Sequence, residues 1–324
     1  MHNGRILVTG GAGLIGSALI WELNRQGATN IVAADLLGKD EKWKNLAPLK
    51  FADYLEGDTL LARLDQFEDV TTIYHMGACS STSETDAAYL IRNNFEFTKT
   101  LAQFALRGNR RFVYASSAAT YGATAESLAE TTPLATLRPL NMYGYSKHLF
   151  DCYAERAGIL EKLTGLKYFN VFGPNENHKG DMRSVVYKAF HQIQQTGAVS
   201  LFKSYKPEYP DGGQMRDFLY VKDAAAATVF LADNAQGGGL FNIGSGEPNT
   251  WLALVNPIFT ALGREPNIKF VEMPEYLRPK YQYFTSAHIG KLRAAGFARK
   301  ITPLAEAVSD YVKNYLLTGL HLGD

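Results

Sequence analysis

The chain of 324 residues is 46% hydrophobic and 20% charged, with a formal net charge of +1. This composition is typical of a globular protein with one large domain or two smaller ones, and its near-zero charge argues against nucleic acid or an anionic membrane as a partner. No apolar run approaches the roughly 20 residues that span a bilayer, and the start of the chain has no apolar signal segment, so we expect a cytoplasmic protein that contacts no membrane. The two cysteines, Cys79 and Cys152, have no metal-ligand spacing, and no metal is expected.

The first predicted elements are a strand, a glycine-rich turn and a helix. Residues 5–9 are apolar enough for a buried strand, and Gly10, Gly13 and Gly16 follow at the spacing G-x-x-G-x-x-G. Such glycines allow a tight turn and a close approach of the backbone to a diphosphate at the amino terminus of the helix. A second strand ends at Asp35, where a carboxylate that binds a ribose is expected. This combination disfavours the alternative, a glycine turn without a ligand.

The charges after the second strand leave the choice of dinucleotide open. Asp35 favours the unphosphorylated ribose of NAD, whereas Lys39 and Lys42 follow closely enough to neutralise the 2′-phosphate of NADP. A later strand at residues 71–75 runs into small residues at 76–82. Small residues at the carboxyl end of a strand would let a cofactor lie against the backbone.

A strand at residues 112–115 leads to Ser116 and Ser117, and a helix beyond it carries Tyr143 and Lys147. Four residues are about one helical turn, so the phenol and the ammonium should share a face. A tyrosine with a pKa near 10 is a poor base at neutral pH, and we expect the ammonium to lower that pKa by about three units. A serine hydroxyl at the end of the strand would share the proton of the tyrosine phenol. The alternative is a tyrosine packed on the core beside a solvated lysine.

The spacing of tyrosine and lysine recurs at Tyr276 and Lys280. Pro274 and Pro279 argue against a regular helix there. The geometry of one helical turn is therefore expected only at the first pair.

The carboxyl half is predicted to be a mixed α/β region. A strand at residues 166–171 ends at Gly173 and Pro174, which break regular structure. Helices are predicted at residues 181–195 and 304–317.

These elements predict an α/β fold with a doubly wound parallel sheet and a smaller α/β domain. The dinucleotide-binding domain would comprise residues 1–170, with residues 216–247 returning to pack on it. Residues 171–324 would mainly form the substrate-binding domain.

Four segments together resemble the extended short-chain dehydrogenase/reductase family. They are GGAGLIG near the amino terminus, YASSAATYG on the fifth strand, YGYSK in the next helix and RDFLYVKD late in the chain. HMGACSST and FNVFGPNENHKG further resemble the nucleotide-sugar epimerases of that family. Its dehydratases place an Asp–Glu pair after the catalytic hydroxyl, where Ala118 and Ala119 stand here, so dehydration is not expected.

The resemblance implies a Rossmann fold and a set of site residues. Ser117, Tyr143 and Lys147 would be catalytic, and Lys179 would be a second acid/base residue or would only bind. The cofactor, NAD or NADP held tightly in each subunit, would contact Gly10, Gly13, Leu14, Ile15, Gly16, Asp35, Leu36, Lys42, Met76, Gly77, Ala78, Cys79, Ser80, Asn93, Tyr143, Lys147, Val171 and Lys179. The sugar nucleotide would contact Ser117, Asn170, Asp181, Lys188, Phe202, Arg216 and Tyr281.

The reaction implied by the resemblance is a redox-neutral epimerisation of an ADP-sugar. An ADP-heptose would be altered at C6″ through a transient ketone, in the synthesis of lipopolysaccharide core precursors. A 4-epimerase or a reductase of the same family would use the same catalytic residues, whereas a non-catalytic NAD(P) or nucleotide-sugar sensor would need none of them. The resemblance also implies a homo-oligomer, commonly a pentamer.

Three positions depart from the family pattern. Gly57 stands where a second basic residue near the adenosine phosphate is common, which weakens the case for strict use of NADP. Lys188 replaces a common histidine and Asp181 a common serine, so the identity of the sugar is less secure than the reaction type. Lys188 is alternatively a solvated helix residue, and Asp181 a helix N-cap.

Overall fold

A computed structural model of the chain describes residues 4–122, 128–234, 238–275, 277–278 and 281–324. Tyr276 and Lys280, the second pair with the tyrosine–lysine spacing, lie outside the described residues. The strands are β1 Arg5–Thr9, β2 Ile31–Asp35, β3 Asp53–Glu56, β4 Val70–His75, β5 Arg111–Ser117, β6 Thr164–Tyr168, β7 Asn170–Phe172, β8 Val199–Phe202, β9 Met215–Tyr220, β10 Gly239–Ile243, β11 Pro248–Thr250 and β12 Ile268–Val271. The α-helices are α1 Leu14–Arg25, α2 Gly57–Leu60, α3 Ala87–Leu90, α4 Phe97–Arg107, α5 Met142–Arg156, α6 Val185–Thr196, α7 Val221–Asp233, α8 Trp251–Ala261, α9 Gly290–Ala294 and α10 Leu304–Tyr311.

The main sheet has seven parallel strands in the order β10-β6-β5-β4-β1-β2-β3. The strand order reverses at β1, which pairs with β2 on one side and β4 on the other. In doubly wound sheets a ligand binds beyond the carboxyl ends of the strands at such a reversal. The predicted α/β fold class is confirmed, and the turns after β1 and β4 lie at the position where that rule predicts a site.

Helices cover both faces of the main sheet. Buried residues of α1 and α7 belong to the core on one face, and buried residues of α4 and α5 to the core on the other. Every residue of β2 is buried. Covering on both faces explains why β2, with the sequence IVAAD, is apolar at every position before Asp35.

The remaining elements form two small sheets around a third apolar core. One sheet has the order β11-β9-β7 and the other pairs β12 with β8. Buried residues of α6, α8 and α10 supply much of this core. The chain enters this region at β7 and returns to the main sheet through α7 and β10, so the boundary between the two regions crosses the chain more than once.

Two elements predicted around residue 170 differ in the structure. The strand predicted at residues 166–171 is two strands, β6 and β7, which join different sheets. The helix predicted at 181–195 begins only at Val185, because the Ser184 hydroxyl accepts the N–H of Tyr187 as its N-cap (3.2 Å). Residues Asn177–Met182 form a 3₁₀ turn broken at Gly180, where φ is 52°. The alternative reading of Asp181 as a helix N-cap is therefore wrong.

Residues near 320 pack back onto the first helix. Leu322 is fully buried against Leu14 and Ala18 of α1. Its N–H donates to the side chain of Asn175 (3.1 Å), and the amide of Asn175 donates to the Ser17 hydroxyl (2.9 Å). Among the described residues, no helix has both the length and the apolar character needed to cross a bilayer.

The packing of the glycine turn leads to a first prediction. A Cβ at Gly16 would overlap the carbonyl oxygen of Gly10, whereas one at Gly13 would lie 3.2 Å from the same atom. Helix propensity alone would make Gly16→Ala stabilising by about 1 kcal/mol. Because the overlap involves backbone, we expect Gly16→Ala to destabilise the fold by about 1–3 kcal/mol instead, as measured by urea unfolding. Gly13→Ala is the matched control with the smaller loss, and a stabilised Gly16→Ala variant would contradict this packing.

Candidate active site

The turns after β1 and β4 are in direct contact. Gly10 has a φ of 66°, and a Cβ at this position would lie 2.6 Å from the backbone nitrogen of Gly77. Gly13 is the N-cap of α1 and makes no side-chain cap, so the first amide groups of α1 keep free N–H donors. This turn is a backbone cradle whose donors and helix dipole suit a diphosphate.

Asp35 ends β2 beside that cradle. Its carboxylate accepts hydrogen bonds from the N–H of Ala12 (2.8 Å) and of Leu36 (2.7 Å), and it pairs with the ammonium of Lys42 (2.5 Å). Gly57 lies next to the backbone of Asp35 and contributes no charge. The carboxylate is therefore held in place at the edge of the cleft by the glycine turn itself.

The amino terminus of α5 is fitted closely against the end of β5. The Asn141 side chain caps the helix by accepting the N–H of Gly144 (2.7 Å). A Cβ at Gly144 would lie 2.8 Å from the carbonyl oxygen of Ala119, so only glycine permits this approach. As a result Tyr143, which is half-buried, forms a hydrogen bond with Ser117.

The expected lowering of the tyrosine pKa by Lys147 is not found. Burial raises the pKa of Tyr143, and its hydrogen bond with Ser117 opposes that rise. Burial lowers the pKa of Lys147 to about 8, although Asp151 opposes this change. The Lys147 ammonium donates to the carbonyl oxygen of Ala115 (2.7 Å). Lys147 is thus held on the backbone of β5 and is itself destabilised in its charged form.

A buried ion pair lies beneath these residues. Asp151 of α5 accepts hydrogen bonds from the hydroxyls of Tyr114 (2.9 Å) and Ser116 (2.8 Å), and it pairs with Lys167 of β6 (2.8 Å). The Lys167 ammonium also donates to the Thr120 hydroxyl (2.6 Å). Asp151 and Lys167 are both almost completely buried. The network therefore joins α5, β5 and β6 under the end of β5 that carries Ser117.

Lys179 reaches the site from the 3₁₀ turn Asn177–Met182. Burial lowers the pKa of Lys179, Glu176 raises it and Lys188 lowers it further. Burial, together with the positive charges of Lys42 and Lys179, lowers the pKa of the neighbouring His178 to about 4. This turn thus places an amine and an imidazole in the cleft, and burial lowers the pKa of both.

Most of the predicted site residues line one cleft of about 640 Å³, a volume within the range of small-molecule sites. They are Gly10, Gly13, Leu14, Ile15, Gly16, Asp35, Lys42, Met76, Gly77, Ala78, Ser80, Ser117, Tyr143, Lys147, Asn170, Val171 and Lys179. The predicted residues that do not line this cleft are Leu36, Cys79, Asn93, Asp181, Lys188, Phe202, Arg216 and Tyr281.

Arg216 and Tyr281 lie together beside the cleft. The guanidinium of Arg216 is 5.7 Å from the ring centre of Trp251 and 5.1 Å from that of Tyr281. The indole of Trp251, which does line the cleft, donates to the Tyr281 hydroxyl (2.8 Å). Arg216 also donates to the carbonyl oxygen of Gln282, another lining residue. This pair therefore contacts the cleft through its neighbours.

Three further predicted substrate residues are at the surface. Asp181 and Lys188 are exposed, and the Lys188 ammonium donates to the carbonyl oxygen of Asp181 (2.6 Å). Phe202, the last residue of β8, is 36% exposed.

The turn after β4 is braced by an asparagine that the sequence did not single out. Asn94 accepts the N–H of Cys79 (2.9 Å) and donates to the Cys79 carbonyl (3.0 Å) and to the Ser146 hydroxyl (2.9 Å). The predicted Asn93 instead donates to the carbonyl of Tyr89 in its own helical segment. Two adjacent asparagines give no local signal that distinguishes them.

The other lining residues were not predicted, and they are Thr82, Ala115, Ser116, Ala118, Ala119, Asn141, Tyr168, Phe169, Phe172, His178, Met182, Arg183, Ser184, Val185, Val186, Phe218, Trp251, Leu254, Gln282 and Thr285. Asn141 had a usable signal, since asparagine before a helix is a common N-cap. Gln282 and Thr285 lie in an irregular segment, where no periodicity marks them.

The residues present fit a dinucleotide. The glycine cradle offers backbone donors at the start of α1, Asp35 stands at the end of β2, and the turn after β4 is made of Met76, Gly77 and Ala78. Such a group would be held by the amides at Leu14 and Ile15 and by the Asp35 carboxylate. The geometry supports a cofactor that exchanges hydride beside Tyr143.

Comparisons with known proteins agree with this geometry. Residues 6–244 match the NAD dependent epimerase/dehydratase family. The ADP-L-glycero-D-manno-heptose-6-epimerase of Nitratidesulfovibrio vulgaris (Hildenborough) is 49% identical over 314 residues, which cover 96% of this chain and 97% of that protein. The crystal structure of the Helicobacter pylori ADP-L-glycero-D-manno-heptose-6-epimerase has a TM-score of 0.81 at 25% identity, covering 97% and 96% of the two chains. A Bacillus cereus UDP-glucuronic acid 4-epimerase in complex with NAD has a TM-score of 0.77 at 25% identity, covering 96% and 99%.

The burial of Lys147 predicts a pH-dependent cost to stability. Its pKa is about 8 in the folded protein against an ordinary value of 10.5, so the unfolded chain binds more protons between these values and stability rises with pH there. Lys147→Met should raise the free energy of unfolding at pH 7 by up to about 3 kcal/mol. The gain should shrink from pH 8 upwards and disappear near pH 10.5. Urea unfolding at several pH values measures this gain in the free energy of unfolding.

The exposed Lys313→Met is the matched control for this series, with no expected change. A Lys147→Met variant no more stable than the original chain at pH 7 would contradict the assigned burial cost.

Proposed function

We propose an activity for this chain from one premise: it belongs to the NAD dependent epimerase/dehydratase family. We propose that it interconverts ADP-D-glycero-D-manno-heptose and ADP-L-glycero-D-manno-heptose by inverting C6″ through a transient ketone. The relatives named above, one of them 49% identical over nearly the whole chain, support this substrate. The product would serve the synthesis of lipopolysaccharide core precursors.

The observation that carries the proposal is that two proton-transfer groups reach one cleft from different elements. Tyr143 lies on α5 beside Ser117, and Lys179 lies on the turn Asn177–Met182. A redox-neutral epimerisation requires that an oxygen lose a proton and regain one while the carbon is approached from opposite faces. Two acid/base groups meet that requirement, whereas a reductase needs only one.

Each proposed catalytic residue has a distinct role in this epimerisation. One of Tyr143 and Lys179 removes the proton of the 6″-hydroxyl as hydride leaves C6″, which gives the ketone. NAD held by the amides at Leu14 and Ile15 and by Asp35 would supply the hydride acceptor, and because the same hydride would go back to C6″, the overall reaction would consume no cofactor. After the side chain of the sugar has rotated, the other group donates a proton to the oxygen. Ser117 hydrogen bonds to the Tyr143 phenol and holds it at the reacting oxygen.

The lowered pKa of Lys179 supports its role as a second base. A lysine transfers protons at neutral pH only if its neutral form is accessible, and burial favours that form here. A residue that only bound phosphate would gain from staying charged. We therefore assign Lys179 to proton transfer, with Lys147 holding the cofactor ribose and the backbone of β5.

NAD is the cofactor that this chain favours. The Asp35 carboxylate stands at the ribose end of the cleft, where it would repel a 2′-phosphate, and Gly57 adds no cation. The positive charge of Lys42 is paired with Asp35. Mass spectrometry of ligands released from the purified protein should therefore find NAD in excess of NADP.

We also propose how the chain divides into domains and how it assembles. Residues 1–170, with 216–247, would hold the cofactor, and most of residues 171–324 would hold the ADP-sugar. We further propose a cytoplasmic homo-oligomer, of five subunits by the family resemblance, which light scattering measures.

Conversion of ADP-D-glycero-D-manno-heptose by the purified enzyme without added cofactor is the direct test of this function. Chromatography should show both epimers at equilibrium, with no net change in absorbance from NADH or NADPH. Stoichiometric consumption of reduced cofactor would instead indicate a reductase. Conversion of UDP-glucose to UDP-galactose in place of this reaction would indicate a 4-epimerase.

Replacement of the two acid/base residues tests their roles. Tyr143→Phe and Lys179→Met should each lower kcat by about 10²–10⁴-fold, because each leaves one proton transfer without a partner. Bound cofactor and thermal unfolding should be unchanged in both. Lys313→Met, at an exposed lysine that does not line the cleft, is the matched control with near-normal kcat. Near-normal turnover by Tyr143→Phe would remove that residue from the chemistry.

A further inference from the structure

A buried carboxylate outside the cleft bridges the two ends of the loop that carries Lys179. Glu176 is fully buried. Its carboxylate accepts hydrogen bonds from the N–H of Ser184 (2.5 Å) and the Ser184 hydroxyl (2.6 Å), and a longer one from the N–H of Gly173 (3.5 Å). Gly173 follows β7 and Ser184 is the N-cap of α6. One side chain thus fixes where the loop leaves β7 and where it enters α6.

The position of the Lys179 amine depends on those anchors. The backbone N–H of Lys179 donates to the carbonyl of Glu176 (3.0 Å). Within the part of the chain that the structure describes, no acceptor binds its ammonium. Gly180, with a φ of 52°, follows directly and offers little rigidity. The backbone of the loop therefore determines where the amine lies in the cleft.

Glu176 also acts on Lys179 through its charge. It raises the pKa of Lys179, in opposition to burial and to Lys188 of α6. From α10, the hydroxyl of Tyr311 faces the same carboxylate. Lys188 and Tyr311 are the titratable groups that α6 and α10 present to this pair. Loss of the carboxylate would leave the Lys179 ammonium among positive charge and apolar surroundings.

We propose that Glu176 is a positioning residue for the reaction, because it holds both ends of the loop at residues 173–184 and so places the Lys179 amine in the cleft. Glu176 does not itself line the cleft, so it acts only through Lys179. The inference rests on the proposed function in one respect, that Lys179 transfers a proton.

Glu176→Gln tests this role because it keeps the shape of the side chain and removes its charge. We expect kcat to fall about 10- to 100-fold, as displacement of a reacting group predicts, with KM nearly unchanged. The limb of the pH–rate profile that belongs to Lys179 is the one that disappears in Lys179→Met. In Glu176→Gln this limb should move to lower pH, because the charge that raises the pKa of Lys179 is gone. Glu176→Asp, which keeps the charge, should retain the limb near its original pH.

The control is Asp223→Asn, which alters another fully buried carboxylate. Asp223 lies on α7, accepts the N–H of Thr302 (2.9 Å) and does not line the cleft. Asp223→Asn should lower Tm without moving the limb of the pH–rate profile that belongs to Lys179. If Glu176→Gln likewise lowers only Tm and leaves kcat and the limb unchanged, Glu176 is merely structural and the proposal is overturned.

A measurement without substrate separates this inference from the proposed function. Trace labelling of Lys179 with acetic anhydride over a pH series, read by peptide mass spectrometry, reports the protonation of its amine. The pH of half-maximal labelling should fall in Glu176→Gln, and an unchanged value would overturn the proposal. If that shift occurs in a protein that does not epimerise ADP-heptose, the proposed function fails and the inference about Glu176 stands.

A second variant covers the case in which Glu176→Gln does not fold. Ser184→Ala removes the hydroxyl contact to the carboxylate together with the N-cap bond from the N–H of Tyr187, and it leaves the contact from its own N–H to Glu176. It should lower kcat by about 10-fold or less, with bound cofactor retained. An unchanged kcat in Ser184→Ala would then count against the proposal.

Discussion

The geometry of the cleft depends on the hydrogen bonds of one carboxylate buried beneath it, that of Asp151. Its partners Tyr114 and Ser116 belong to β5, and Lys167 belongs to β6, while Asp151 itself lies on α5. The strand that ends at Ser117 and the helix that carries Tyr143 are thus joined by hydrogen bonds as well as by packing. A buried ion pair is favourable only when its remaining donors and acceptors are satisfied, and hydroxyls from β5 and the following turn do so here. A fully satisfied network of this kind gives the residues above it a single arrangement.

Two lysines that line the cleft are held in states that a protein selected for stability alone would avoid. Burial lowers the pKa of both Lys147 and Lys179 and raises that of Tyr143. Each lysine shift records a cost of removing charge from water, which the surrounding packing offsets, whereas the phenol of Tyr143 is neutral at neutral pH and carries no such cost. Such conflicts between local chemistry and stability are expected at functional sites. They also explain why Lys147 does not lower the pKa of Tyr143 here, since its own charged form is disfavoured.

The sequence predicted the parts of the site whose partners are close along the chain. The glycine turn with Asp35, and the pair Tyr143 and Lys147, follow from spacings within one supersecondary unit, and the structure brings these residues to one cleft. The support of Lys179 was beyond such reasoning. It depends on the burial of Glu176, which no periodicity marks in this irregular segment, and on a helix that starts later than its periodicity predicts because the Ser184 hydroxyl caps it. Asn94 and Asn93 could not be distinguished either, because only the folded chain shows which of them contacts Cys79 and Ser146.

The packing of Leu322 on α1 has a consequence for the order in which the protein is made. The face of α1 at Leu14 and Ala18 is synthesised first, yet Leu322, which completes its covering, emerges from the ribosome about 300 residues later. The edge strand β10 likewise joins the main sheet only after β7, β8 and β9 have been synthesised. Contacts so distant along the chain slow folding and expose apolar surface in the meantime. A nascent chain that has passed residue 300 therefore has Val221 and Ala225 of α7 available to pack on this face of α1, but it still lacks the contact of Leu322.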